Sequence, residues 1–230
     1  MRQWFFVEGV RYRELTSDSM RRALSRKGAG FKEYEVLFPD GSFMQIRASA
    51  DRLFADLAGV DRFAVYSRSE QLLLPGMRVL ILGGGTGYAG NWAAARVAPS
   101  GAVVSLESDP QSVEYARRRY RTPNVSFESG GIAELSGEID GAFNAAILVL
   151  PDPRPDPVAV VAECWRLIAP GGWLLAAAPA GAHGDFLLDI AADTCRSDGR
   201  ATVSLLDRSS DWTSAVYRRP AEDAEPRPPR

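Results

Sequence analysis

The stretch MRVLILGGGTG at residues 77–87 constrains this chain more than any other. Val79, Leu80, Ile81 and Leu82 form an apolar run suited to a strand buried on both faces, and the run breaks directly into Gly83, Gly84, Gly85, Thr86 and Gly87. Residues 88–98 then read as a helix. A buried strand, a glycine-rich turn and a helix N-terminus, in that order, put backbone N–H groups and the positive end of a helix dipole at the carboxyl edge of a sheet. Backbone approaches a ligand closely only where side chains are absent, so this turn suits a nucleotide-like ligand.

From residue 70 to 219 strand and helix patterns alternate with short connections. This predicts an α/β fold, a doubly wound and mostly parallel sheet with a closing antiparallel strand. Strands are expected at 102–106, ending at Glu107, and at 125–128, 143–150 and 173–178. Asp109 with Pro110, and Asp156 with Pro157, each read as an N-cap followed by proline at the first helical position. Helices are expected behind both, the second ended by residues 169–172, and another at 186–195. Residues 201–207 and 213–218 form the closing antiparallel pair. Residues 1–69 read as a small α+β lead-in, with strands at 10–15 and 34–46, the latter a hairpin turning at Pro39, Asp40 and Gly41, and helices at 17–27 and 50–57. The tail, 220–230, is rich in Pro and Glu and is expected to be disordered.

At 230 residues and 46% hydrophobic content the chain is long enough for one main core plus an appendage. A net charge of -2 gives no support to a nucleic-acid partner, although a local basic face is compatible with it. The clusters Arg21, Arg22, Arg26, Lys27 and Arg117, Arg118, Arg119 read as solvated faces, and Trp4, Phe5 and Phe6 as core or a covering flap. No run approaches the roughly 18 apolar residues of a membrane span, and the apolar start is too short for a signal segment. Cys164 and Cys195 have no CxxC or Cys/His partner, so no metal site is expected and both read as reduced thiols of a cytoplasmic protein. Nothing in the chain fixes its oligomeric state, a homodimer being one option.

Four features in order carry a resemblance to a known family. They are the glycine turn, Glu107 at the end of the second strand, the strand and loop of residues 140–153, and the segment LIAPGGWLL at 167–175. Together, over about residues 72–219, they resemble the Rossmann-like, class I S-adenosylmethionine (SAM)-dependent methyltransferases. The resemblance implies SAM as cofactor. Its amino-acid end would meet backbone N–H groups of Gly83, Gly85 and Gly87, with Gly84 and Tyr88 completing the wall. Glu107 would accept both ribose hydroxyls. The adenine would lie near Ser108 and the loop carrying Gly131 and Ile132. Gly131 stands where many relatives carry an acid, which leaves adenine recognition to backbone and stacking, and Ile81 stands where the family has an acid ending the first strand.

Methyl transfer from a sulfonium needs in-line placement, exclusion of water and sometimes a base, so few protein groups are required. The chain is expected to be a SAM-dependent methyltransferase of a small-molecule acceptor. Asp152, Asp156, Tyr88 and His183 are the polar groups expected around that acceptor, with Asp152 as contact or base and His183, in a loop after the fifth strand, as a second base. Other subfamilies share pieces of the pattern. VLILGGGTG is similar to the polyamine aminopropyltransferases and LVLPDP at 148–153 to the tRNA adenine-N1 methyltransferases, but both carry an aspartate where Val149 stands. GTGY with LLLPGMRVL resembles the protein isoaspartyl methyltransferases, yet Tyr66, Ser67 and Ser69 lie too close to Gly83 to supply their Ser/Thr segment. Two readings from other classes are a nicotinamide-dependent oxidoreductase, because Gly85, Gly87 and Gly90 satisfy GxGxxG, and a non-catalytic methyltransferase-like binding domain, favoured by Ile81, Gly131 and Val149.

Overall fold

The computed structural model describes residues 3–15, 31–49, 53, 66, 69–135, 137–149, 156–197, 201–208 and 212–221. The expected helices at 17–27 and 50–57, the basic cluster at 21–27, Asp152 and the tail beyond residue 221 lie outside them.

The main sheet has seven strands: β5 (Arg78–Leu82), β6 (Ala102–Glu107), β7 (Val125–Ser129), β8 (Phe143–Val149), β9 (Ile168–Pro179), β10 (Thr202–Arg208) and β11 (Trp212–Arg218). Their spatial order is β10-β11-β9-β8-β5-β6-β7. β5 through β9 run parallel, and β11 and β10 close the sheet antiparallel. The chain builds outward from β5 through β6 to β7, then returns to lay β8 on the other side of β5. That reversal opens a crevice at the carboxyl ends of β5 and β8, where open α/β sheets take their ligands.

Alternate residues explain the layers. Leu80, Leu82, Ala146, Leu148, Leu174 and Ala176 point to one face, against α3 (Pro157–Leu167) and α4 (Ala182–Ser197). Val79, Ile81, Ala145, Ile147, Trp173 and Leu175 point to the other, which carries α1 (Tyr88–Val97). Both faces are covered, which is why β5 and β8 read as continuous apolar runs. α2 (Pro110–Arg119) lies outside β6 and β7, with Val113 and Ala116 on Phe127. Asp109 caps it, accepting from the N–H groups of Gln111 and Ser112, and Asp156 caps α3 by accepting from Val158 N–H.

The segment LIAPGGWLL does more than end a helix. β9 begins at Ile168, and its pairing with β8 skips from Phe143↔Ile168 to Ala145↔Trp173, so the Ala-Pro-Gly-Gly stretch bulges out of the ladder. A Cβ at Gly172 would stand 2.5 Å from the Asn144 carbonyl oxygen, which fixes glycine there. Arg219 seals the bulge: its Nη1 donates to Ile168 O at 2.6 Å and Trp165 O at 3.2 Å at the end of α3, and Gly171 N–H donates to the carbonyls of Arg219 and Pro220. Pro220, expected in the disordered tail, is thus part of the fold.

The lead-in forms a separate antiparallel sheet, β1 (Phe5–Val7), β2 (Val10–Glu14), β3 (Phe31–Leu37) and β4 (Phe43–Ser49), in that order. Its inner face, Val10, Tyr12, Tyr34, Val36, Ile46 and Ala48, packs on Tyr115 of α2. Tyr12 and Tyr115, 0% and 1% exposed, join hydroxyl to hydroxyl at 2.6 Å. Of the three arginines expected on a solvated face, Arg117 is exposed, whereas Arg118 and Arg119 are half-buried. Arg117 donates to Phe127 O, Arg118 to Phe43 O and Glu114, and Arg119 pairs with Glu8 of the β1–β2 turn. Phe6 is neither core nor flap: at 67% exposure it stands on the outer face of β1, in register with Arg11, Leu37 and Phe43. Phe5, on the inner face, stacks on Tyr12 yet stays 40% exposed at the sheet's edge.

The buried hydroxyl pair makes a testable contribution. Tyr12→Phe removes the partner of the buried Tyr115 hydroxyl and should cost about 1–3 kcal/mol in urea unfolding, while the Tyr12→Phe, Tyr115→Phe double variant should cost clearly less than the sum of the two single changes. Burial also sets an alkaline limit. It holds the Tyr115 phenol well above its ordinary value and pushes the Tyr217 phenol and Cys164 thiol upward too. These groups stay neutral in the fold but ionise in the unfolded chain. Stability is therefore complete below their unfolded pKa values and should fall as pH rises past about 9–10, read as a declining Tm in a pH series.

Candidate cofactor site

The carboxyl end of β5 turns sharply because three glycines permit three close contacts. Gly83 has φ +74°, and a Cβ there would lie 2.2 Å from the carbonyl oxygen of Val149 on β8. At Gly84 it would lie 2.2 Å from Ser105 Oγ, and at Gly87, with φ +94°, 2.5 Å from the Ala116 methyl of α2. Gly85 differs. It has φ +56°, and nothing lies within 4 Å of where its Cβ would be.

These contacts correct one expectation. The N–H groups of Gly83 and Gly84 both donate to Leu106 O at 3.1 Å, Gly87 N–H donates to Gly84 O, and Gly85 N–H donates to Glu107. The glycine amides are spent on building the turn. Further donors belong to the first turn of α1, where Gly87 gives no side-chain cap and Asn91 N–H donates to Gly87 O. Ala89 and Gly90 N–H groups therefore have no acceptor within the helix. They lie at the positive end of its dipole. Tyr88, half-buried, packs against the core on the α1 face.

Glu107 stands at the centre of this edge. Its Oε2 accepts from Gly85 N–H at 2.8 Å, and its Oε1 from the Ser108 hydroxyl at 3.2 Å and Asp109 N–H at 3.1 Å. Three donors thus fix a half-buried carboxylate beside the open side of Gly85. A carboxylate offers about four acceptor positions, so three bonds leave it with acceptor capacity to spare.

One strand further, Gly130 N–H donates to the Glu107 carbonyl at 3.0 Å. Gly131 is exposed, and Ile132 is half-buried against the core. An acid does reach this loop. Glu134 folds back so that its Oε2 accepts from Gly131 N–H at 2.7 Å. Glu134 escaped the sequence reading, although an acid three residues into a short helix has the spacing of a capping box.

The acceptor side matches the expectations less well. His183 lies in the first turn of α4 and not in a loop, and its Nε2 is buried without a hydrogen-bond partner. Asp156 is committed to capping α3. Val149 is buried and puts an apolar side chain at the end of β8. Among the described residues no group of His, Cys, Asp and Glu could hold a metal ion, and no helix is long and apolar enough to cross a membrane.

Residues 79–172 match the family described as Methyltransferase domain. The chain is similar to the trans-aconitate 2-methyltransferase of Deinococcus radiodurans, with 37% identity over 119 residues, 50% of this chain and 43% of that protein. It spans less than half the length of the curated relatives it matches. Among solved structures it is similar to Aeropyrum pernix fibrillarin with natively bound SAM, at TM-score 0.54 and 15% identity over 82% of this chain and 94% of that one. It is also similar to the [4+2]-cyclase SpnF, at TM-score 0.57 and 17% identity over 70% and 81%. At such identities the likeness to both structures is one of fold. Over residues 79–172 the chain is therefore similar to the methyltransferase domain family, and its strand order is that of the fold these structures share.

Proposed function

We propose that this protein is a SAM-dependent methyltransferase acting on a small-molecule acceptor, in a cytoplasmic setting where Cys164 and Cys195, both buried, stay reduced. The observation that carries the reading is the Glu107 carboxylate, held by three protein donors beside the open face of Gly85. The residues present fit an adenosyl sulfonium. A fixed carboxylate one strand from the turn suits a ribose diol, whose hydroxyls only need acceptors. The first turn of α1 suits the carboxylate of an amino-acid tail. The absent Cβ at Gly85 leaves room for the chain between them.

SAM, when bound, supplies a methyl group on a positively charged sulfur. The protein's part is placement. Glu107 anchors the sugar, α1 draws in the anionic tail, and the apolar end of β8 at Val149 keeps the reacting edge poor in water. We nominate Asp152 and His183 for the acceptor's proton, with His183 following the carboxyl end of β9. The similarity to a trans-aconitate 2-methyltransferase favours a small polar acceptor as the first class to screen. A second reading, a binding domain without turnover, is favoured by the buried apolar side chains of Ile81 and Val149 at the ends of β5 and β8.

Calorimetric titration with SAM and S-adenosylhomocysteine tests the proposal. Binding is expected. Glu107→Ala should weaken it by about 2–4 kcal/mol, on the order of a hundredfold in Kd. No binding of either ligand at millimolar concentration would overturn the reading, and binding with no methyl transfer across a broad acceptor panel would favour the second. The glycines divide the same way. Gly83→Ala should cost several kcal/mol of stability through its clash with Val149 O. Gly85→Ala should cost only about 1–2 kcal/mol, yet lose cofactor affinity because its methyl fills the open face. Urea unfolding and titration, run side by side, separate the two effects.

A further inference from the structure

We propose that the outer face of the lead-in sheet binds a small aromatic carboxylate, with the anionic end on Arg11 and the ring against Phe6 and Leu37. These three residues stand side by side in register on β1, β2 and β3, which puts a cation between two apolar side chains. With Gly9 of the β1–β2 turn and Pro39 and Gly41 of the β3–β4 turn they line a cleft of about 250 Å³, room for one ring and one carboxylate. Its rim is firm. Glu8 holds a left-handed φ of +44°, uncommon for a residue with a side chain, and is secured there by Arg119 of α2, which donates to both its carbonyl and its carboxylate. A Cβ on Gly9 would stand 3.8 Å from Pro39 Cγ, so the two turns lie side by side. Nothing lies within 4 Å of where a Cβ on Gly41 would be, which leaves that end of the cleft open.

Charge sets the ligand's class. The acids of the two turns are already matched, Glu8 by Arg119 and Asp40 by Arg121. On the same face Arg13 pairs with Glu35, and its Cζ lies 4.9 Å from the Trp4 ring centroid. Arg11 is exposed and makes no ion pair with a described residue. The cleft therefore carries an uncompensated guanidinium, whose planar fork matches a carboxylate. An exposed ion pair contributes little by itself, so a bare anion is not retained. Phe6, 67% exposed, and the half-buried Leu37 supply the remainder by covering a flat apolar body. Recognition thus needs both ends on one molecule.

An amide NMR titration of the full chain with 3-phenylpropionate tests this, with acetate and 3-phenylpropan-1-ol as the two halves of the ligand alone. The acid should saturate shifts of the Gly9, Arg11 and Gly41 amides, with a Kd roughly tenfold or more below that of either control. Arg11→Met keeps an apolar stem without the charge and should bring the acid down to the alcohol's affinity. Phe6→Ser should weaken the acid by roughly tenfold. Both side chains are exposed, so neither change should move Tm. The two controls decide the matter on the wild type alone. An acid that leaves these amides unshifted up to about 10 mM, an alcohol or acetate that binds as well as the acid, or an Arg11→Met variant that binds the acid as the wild type does would each overturn the proposal.

Discussion

The seating of Gly83 on the carbonyl of Val149 is the contact on which the rest of the molecule depends. β5 and β8 are neighbours in space but far apart in the chain, and the crevice exists because they diverge in connection at their carboxyl ends. A side chain on Gly83 would push β8 away, since its first carbon would sit 2.2 Å from a backbone oxygen that cannot step aside. The same turn is bound on the other side through Leu106 O, which takes two consecutive amides. The β5 turn is therefore clamped between β8 and β6. The clamp leaves one side of Gly85 open, with nothing within 4 Å of where its Cβ would be.

A second, polar contact ties the lead-in sheet to this framework. α2 is buried on both sides, with Val113 and Ala116 toward β7 and Tyr115 toward the lead-in. Its polar residues also solve an edge problem. β4 ends the small sheet, and an unpaired strand edge invites pairing with another chain. Gln111 covers it as a further strand would: its Oε1 accepts from Arg47 N–H and its Nε2 donates to Gln45 O, both at 2.9 Å. Arg118 closes the next position on Phe43 O. The helix that Asp109 caps, directly after Glu107, thus also carries the appendage, so that the cofactor edge and the lead-in share one rigid element.

Much of this was legible because it follows from local chemistry. The apolar runs of β5 and β8, the two Asp-Pro helix starts and the acid ending β6 each express a rule that holds whatever the surroundings. Several misreadings involve long-range partners. Arg118 and Arg119 look solvated until the lead-in sheet comes to rest on them. His183 looks like a loop residue because Ala182, His183 and Gly184 give a weak helical signal, yet Gly184 is seated where a Cβ would lie 2.3 Å from the Thr213 methyl of β11. The glycine amides look available for a ligand until their acceptors on β6 are known. A sequence shows which groups exist, whereas their occupancy is a property of the assembled sheet.

Occupancy also explains how an acid comes to lie on a loop that opens with two glycines. Gly131 seems to empty the loop after β7 of its acid, since it offers no side chain at all. A short helical turn at Ile132–Leu135 brings residue 134 back beside residue 131, and a missing Cβ at Gly130 lets the returning arm lie against the backbone. Replacing the acid with glycine and supplying one three residues later puts a carboxylate in the same neighbourhood by a different path. The longer glutamate arm is what spans the difference. The hydrogen bond from Gly131 N–H to Glu134 Oε2 is what holds the carboxylate there. Two glutamates at neighbouring places on this edge are thus each held by a glycine amide, Glu107 by Gly85 and Glu134 by Gly131.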